Sequence, residues 1–556
     1  MRTLRYLTGA ILAVGLAACS NDLGIANKNA PNLNNALASP SDVENFIAGS
    51  YRIAHQGTIG GQNDDLATQM YVMGLENVSS LANFAMGPRG SIPRNPIDNQ
   101  RGSQGNVGND FDFTLEHRAA RVAMLGLERM QTLSLGSLAR NARAKAFARF
   151  VQGVALGNLA MTYDSAMIVS ELNNHTPQIP FSGYQAVDSA ALRYLDSAIA
   201  IASAPAPAGP ASDWFPLPNT WLNGVSVSAA QFVQLCRSYK ARIRAGVARN
   251  PTERAAVDWA SVIADASAGI TADFNITMSP STGWDVVWPI QAYATGSANW
   301  HQMSQFILGM ADSSGGYDAW LATPRAGRVA FTIYTADARF PTGSTRALQQ
   351  AVVVPGTFTS VPYIRNRPTG EDQPGDPFGI SQYDFYRSRA FYLANRIGTY
   401  PIMAKAEMDL LAAEGYLWTG NIAAAAAKID VSRVGKGALP SLVTAGIADT
   451  LTAVPGGAAC VPRVPNPATT YTTSKCGNIW DALRWEYWME TAYVGYGQWY
   501  IADRGWGALP EGTAIQWPVP YNEMDVRGET FYSMGGVGAP GGSGPGIYGL
   551  FAGGVY

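Results

Sequence analysis

Residues 400–429 read YPIMAKAEMDLLAAEGYLWTGNIAAAAAKI, and this stretch decides the fold. Ile402, Ala406, Leu410, Ala413 and Leu417 recur every three or four residues, the spacing that gives a helix one apolar face. Lys405, Glu407, Asp409 and Glu414 fall mostly off that face. Gly420 supplies a stop where a left-handed residue is needed, and Asn421 is placed to cap the alanine-rich helix that follows. The reading is a tight hairpin of two antiparallel helices. Such a unit cannot bury its face alone and implies neighbours of the same kind.

Similar helical signals recur along the chain. Ser41-x-x-Glu44 reads as a capping box opening a helix to about His55. Helices are predicted at about 115–133, at 139–163, and from about Gln185 to Ala202. Ser228-x-x-Gln231 opens another, which Pro251 terminates, and residues 253–269 look helical too. Between about 274 and 377 the pattern breaks into Gly, Pro and Ser with short β-like pieces such as Val352-Val353-Val354. Helix returns at Pro401 and at about Ile479 to Tyr493, before a Gly-rich tail. The expectation is a mainly α fold of tetratricopeptide-like helix pairs, with long irregular loop insertions and few short strands. One domain, about 38–556, carries a helical scaffold at about 38–270 and 385–510 and a loop-rich insertion at about 271–384.

The N-terminal segment bears on location. Arg2 and Arg5 precede an apolar run from Tyr6 to Leu16, then Leu16-Ala17-Ala18-Cys19. A basic start, a short apolar run and small residues predict an export signal over 1–18, too short to span a bilayer. The Leu-Ala-Ala-Cys run resembles a bacterial lipobox, which implies lipidation of Cys19 and a membrane anchor; multiple acyl chains suffice for stable attachment. Residues 20–37 are Asn-rich and nearly uncharged, as suits a tether, and Ser20 stands where an inner-membrane retention signal would place Asp.

Composition narrows the function classes. The 556-residue chain has a net charge of −2, so no basic field attracts nucleic acid. The four histidines, His55, His117, His175 and His301, are scattered and form no zinc spacing. There is no G-x-S-x-G elbow and no P-loop. Neither a cofactor nor a metal is expected. Adjacent acids at Asp64-Asp65 and Glu371-Asp372 read as solvated loop pairs, and the 371–376 loop lacks the EF-hand spacing for calcium. Cys460 and Cys476 share one loop and can pair in an oxidising compartment, whereas Cys236 sits in a helix as a buried thiol.

An ordered set of motifs resembles the SusD/RagB family of outer-membrane nutrient-binding lipoproteins. The lipobox is followed by Asp42-Val43-Glu44 through Tyr51, similar to the family's opening helix, and Ala144 to Tyr163 resembles its second repeated helix. Asp337-Ala338-Arg339 resembles its Asp-x-Arg turn, and Tyr400 to Gly415 its YPIIRLAEVYLMYAEA helix. Asp503-Arg504-Gly505-Trp506-Gly507 and Trp517-Pro518-Val519-Pro520 resemble its late motifs. Two departures stand out: the Glu-Arg-x-x-Glu run is kept only through Arg484, Glu486 and Glu490, and Glu414-Gly415 replaces Glu-Ala.

The resemblance implies a non-enzymatic receptor that captures an oligosaccharide or peptide and hands it to a SusC-like TonB-dependent barrel. Sugar rings stack on aromatic faces, and in the family such surfaces come from insertions. The ligand candidates are therefore Trp284, Trp288, Tyr293, Trp300 and Trp320, joined by Asn83 and Phe84 from an earlier loop. Tyr317 belongs to the same aromatic set. The expectation is that two or three of these share an exposed platform; the competing reading makes each a loop anchor on the core. Trp485, Trp488 and Trp499 are assigned to the core. The alternatives are a helical scaffold lipoprotein that binds envelope proteins and a glycan-active enzyme, for which two acids placed in space would suffice.

Overall fold

The computed structural model describes residues 36–61, 65–79, 86–103, 106–171, 178–293, 301–372, 381–549 and 553–556. The scaffold is a succession of helices, each packed on its sequence neighbours. In chain order these are α1 (Pro40–Ala48), α2 (Ser50–Gln56), α3 (Asn106–Arg129), α4 (Leu138–Thr162), α5 (Tyr184–Ser203), α6 (Ala229–Gly246) and α7 (Trp259–Ser267). After the insertion come α8 (Lys405–Trp418), α9 (Ile422–Arg433), α10 (Ile479–Thr491) and α11 (Gln498–Trp506). Helix α4 packs on α3 and α5, α6 on α5 and α7, and α8 on α7, α9 and α10. This is the repeat of helix pairs that the hairpin demanded. No described helix is long and apolar enough to cross a membrane.

Small residues set the spacing. A Cβ on Gly153 would lie 2.6 Å from Leu195 Cγ in α5, and one on Gly157 only 2.2 Å from Ile243 Cδ1 in α6. The sequence VQGVALGN thus lets α4 run close to both neighbours, and α4 is buried along most of its length.

Several boundaries differ from expectation for local reasons. The first capping box is Ser39 with Asp42, two residues earlier than predicted, with Pro40 in the first turn, where its missing N–H costs nothing. Glu44 instead pairs with Arg140 and Arg143 of α4. The Ser228/Gln231 box forms as predicted. Helix α6 ends before Pro251, which opens a separate short helix, Pro251–Ala255, capped by Asn250. Val352-Val353-Val354 forms no strand; Val353 is exposed, and the segment follows a short helix, Arg346–Gln350. Leu37, placed in the tether, is already core.

The deciding stretch also needs one correction. Tyr400 to Met403 is not helical: it belongs to strand β2 (Gly398–Met403), which pairs antiparallel with β1 (Phe274–Met278). Pro401 is tolerated because the ladder has only two strands. This pair clasps the two ends of the insertion. From Lys405 the hairpin follows its prediction: Gly420 has φ +79°, and Asn421 Oδ1 accepts the Ala424 amide at 3.2 Å.

The charged residues of α8 are not on a solvent face. Because α8 is packed on several sides, Glu407 and Glu414 are fully buried and Asp409 nearly so. Each finds cations on neighbours or along the helix. Arg242 of α6 holds Glu407 at 2.7 and 2.5 Å, Arg254 holds Glu414 at 2.7 and 2.6 Å, and Lys405 and Lys428 bracket Asp409. Gly415 is required by the same closeness, since a Cβ there would sit 2.6 Å from Ile263 Cγ1 of α7.

Candidate functional site

The late sequence motifs meet as structural joints. Arg339, fully buried, donates to Asp337 at 2.9 and 2.7 Å and to Glu486 of α10 at 2.6 and 3.0 Å, with Glu490 at 3.5 Å. Ser432 of α9 donates to both glutamates. The Asp-x-Arg turn and the partly kept Glu run are therefore two halves of one network that bolts the insertion to the scaffold. Burial opposes every charge in it. For Arg339 the facing carboxylates outweigh burial and raise its pKa, whereas for Glu486, which also faces Asp337, burial prevails over Arg339 and pushes the carboxyl up. Arg504 likewise donates to the carbonyls of Ile515, Met161 and Gly246, tying α11 and the tail to α4 and α6. The Trp517 backbone N–H donates to Thr162 O at 2.8 Å, fixing the Trp-Pro-Val-Pro segment on the end of α4.

The ligand candidates of the insertion whose side chains are described, Trp284, Trp288 and Trp320, are not exposed. Trp284 is 5% exposed and packs against Tyr51 and His55. Trp288, also 5% exposed, stacks on Tyr493 and donates Nε1–H to Tyr400 Oη at 2.8 Å. Trp320 is 4% exposed, stacked on buried Tyr317 and covered by Arg328 at 4.3 Å. These three are loop anchors. The insertion is fastened to the core by these large side chains together with aliphatic residues such as Ile307, Leu308 and Ile333, and sequence alone does not distinguish that use from ligand stacking. Asn83, Phe84 and Trp300 lie outside the described residues, as does Cys19; Tyr293 ends a short helix, Trp288–Tyr293. Trp485, Trp488 and Trp499 are core.

The described histidines are held by structural contacts. His55 and His117 are buried and pushed down to about 4 by that burial. His117 Nδ1 lies 2.7 Å from Phe113 O and Nε2 accepts the Met167 amide, so its neutral form is fixed at both nitrogens. Glu371 and Asp372 face Arg365 and Arg346 rather than a cation site. Among the described residues no group of three or more His, Cys, Asp or Glu is arranged for a metal ion. Cys460 and Cys476 are disulfide-bonded, and Cys236 is a buried free thiol.

Another set of aromatics does reach the surface. An open cleft of about 300 Å³ is lined by Trp418, Trp480, Trp506, Asn478, Arg484, Gly505 and Pro251. Trp418 ends α8 and is 39% exposed, and Trp480 lies in the first turn of α10, half-buried, with ring centroids 5.1 Å apart and planes at 65°. Trp506, 5% exposed, forms the floor. Their orientation comes from one carboxylate. Glu414 Oε1, already bound to Arg254, accepts the indole N–H of Trp506 at 2.9 Å and of Trp418 at 3.3 Å. Asn478 caps α10 through Oδ1, and its Nδ2 has no partner among the described residues. Arg484 is paired with Asp481 at 3.0 Å and lies over Trp506 at 5.9 Å. The arrangement offers apolar ring faces and a polar edge, with its charges already compensated. Sequence reading missed Trp418 and Trp480; the available signal was a Trp at each helix end beside a turn or cap.

No family model matches the sequence, and no curated protein matches it. Solved structures do. A SusD superfamily protein from Bacteroides thetaiotaomicron VPI-5482 aligns over 88% of this chain and 96% of its own, with TM-score 0.54 and 14% identity. A SusD-like carbohydrate binding protein from Bacteroides fragilis NCTC 9343 aligns over 87% and 89%, with TM-score 0.49 and 13% identity. The first carries the comparison, and at such identity it speaks for architecture. With helix pairs, insertion and motif joints all in place, the chain is SusD-like in fold.

Proposed function

We propose that this protein is a lipid-anchored receptor of the outer membrane that captures an oligomeric nutrient, most simply an oligosaccharide, and passes it to a SusC-like TonB-dependent barrel. The observation that carries the reading is the SusD-like architecture spanning 88% of the chain. The Leu-Ala-Ala-Cys19 run supports the anchor. Capture and handover are non-covalent in this scheme, and the barrel's partner system supplies the energy. The test is affinity isolation of a C-terminally tagged form from detergent-solubilised native outer membranes. A stoichiometric partner of the size of a TonB-dependent barrel supports the receptor. Recovery alone, or with small soluble proteins only, overturns it.

A further inference from the structure

The cleft at the ends of α8 and α10 has features that specify an occupant. Two indoles meet there edge to face at the surface, Trp418 being backed by the parallel ring of Trp259, and two of the three lining indole N–H groups are consumed by Glu414. What Trp418 and Trp506 present is therefore ring face, not a hydrogen-bond donor. The charges at the cleft are paired, Arg484 with Asp481 and Arg254 with Glu414, so nothing there favours a net-charged ligand. The Asn478 amide at the edge is a donor suited to a hydroxyl or ring oxygen. The volume, about 300 Å³, falls at the small end of ligand sites.

We infer that this cleft, on the helical scaffold and built without the insertion, binds a neutral pyranose whose apolar face stacks on Trp418, with Trp480, inclined at 65°, as the flanking wall. The inference rests on the reading of the protein as a nutrient receptor and adds where, and on what kind of residue, the ligand sits.

The test uses the full chain and neutral hexasaccharides of glucose, xylose and mannose in α and β linkage, followed by tryptophan fluorescence and titration calorimetry. At least one hexasaccharide is expected to bind saturably. Trp418→Ala should then weaken it at least tenfold in a protein that still melts cooperatively, Trp418→Tyr should keep most of the affinity, and Asn478→Ala should weaken it severalfold. Saturable binding that is indifferent to Trp418→Ala and Trp480→Ala overturns the inference, as does no binding by any hexasaccharide, with or without binding of a proline-rich peptide. Failure here is separable from failure of the receptor reading. A barrel that co-isolates with the Trp418→Ala protein leaves the receptor standing while the cleft falls.

Discussion

Replacing Arg339 by Met tests the joint on which the insertion depends. The guanidinium is fully buried and satisfies Asp337 and Glu486 with four hydrogen bonds of 2.6 to 3.0 Å. Met fills much of the volume but removes the charge, leaving at least two carboxylates facing each other in the interior. Breaking a buried pair from one side costs about 3–5 kcal/mol. For a chain of this size the unfolding entropy is about 1 kcal/mol/K, so the expected fall in melting temperature is about 3–5 °C. The sign of the pH dependence follows from the network. Burial already raises Glu486 in the folded state, and Arg339 is the largest influence holding it down. Without Arg339 the folded carboxyl is raised further above its unfolded value. Stability contributed by the protonated acid is present at low pH and lost as pH rises, so the deficit of the variant is larger at pH 7.5 than at pH 5. Scanning calorimetry at both pH values, with urea unfolding as a second readout, measures it. A variant within about 1 kcal/mol of the parent, or a deficit equal at both pH values, would refute the argument that Arg339 neutralises a buried acid cluster.

Other perturbations probe separate layers of the structure. Gly157→Val places side-chain atoms where Ile243 already sits, 2.2 Å from the added Cβ, and should cost about 1–3 kcal/mol or more by overpacking α4 against α6, read by thermal melting. His117 is held neutral with its pKa pushed down to about 4, against an ordinary value near 6.5. Its contribution is therefore present above about pH 6.5 and is lost as pH falls toward 4, by roughly 3 kcal/mol. His117→Gln should flatten that part of the stability–pH profile, and an unchanged slope would count against it. Cys460→Ser with Cys476→Ser opens a loop of sequence separation 16 and should cost about 3 kcal/mol on the chain-entropy argument. Proteolysis of the 460–476 loop should quicken, while Trp fluorescence of the scaffold is retained.

The scaffold was legible in the sequence because its determinants are local. The apolar period of α8, Gly420 at positive φ and the Asn421 and Ser228 caps each act within a few residues. The motifs resembling the SusD/RagB family were legible for a related reason. Asp337, Arg339, Glu486, Arg504 and Trp517 are joints between distant elements, and a buried charge or Trp tolerates few substitutes.

Tertiary structure alone decided the rest. Pro401 lies in a strand because β1, more than 120 residues earlier, pairs with it. The acids of α8 are interior because Arg242 and Arg254 arrive from other helices to neutralise them. The aromatics of the insertion and those of the cleft are the same residue types in similar local settings. Whether a Trp anchors a loop or lines a surface depends on which neighbours cover it. Trp284, Trp288 and Trp320 are covered, whereas Trp418 is left open at the end of its helix, with Glu414 turning its N–H inward. Burial is a property of the assembled fold, and no pattern read along the chain contains it.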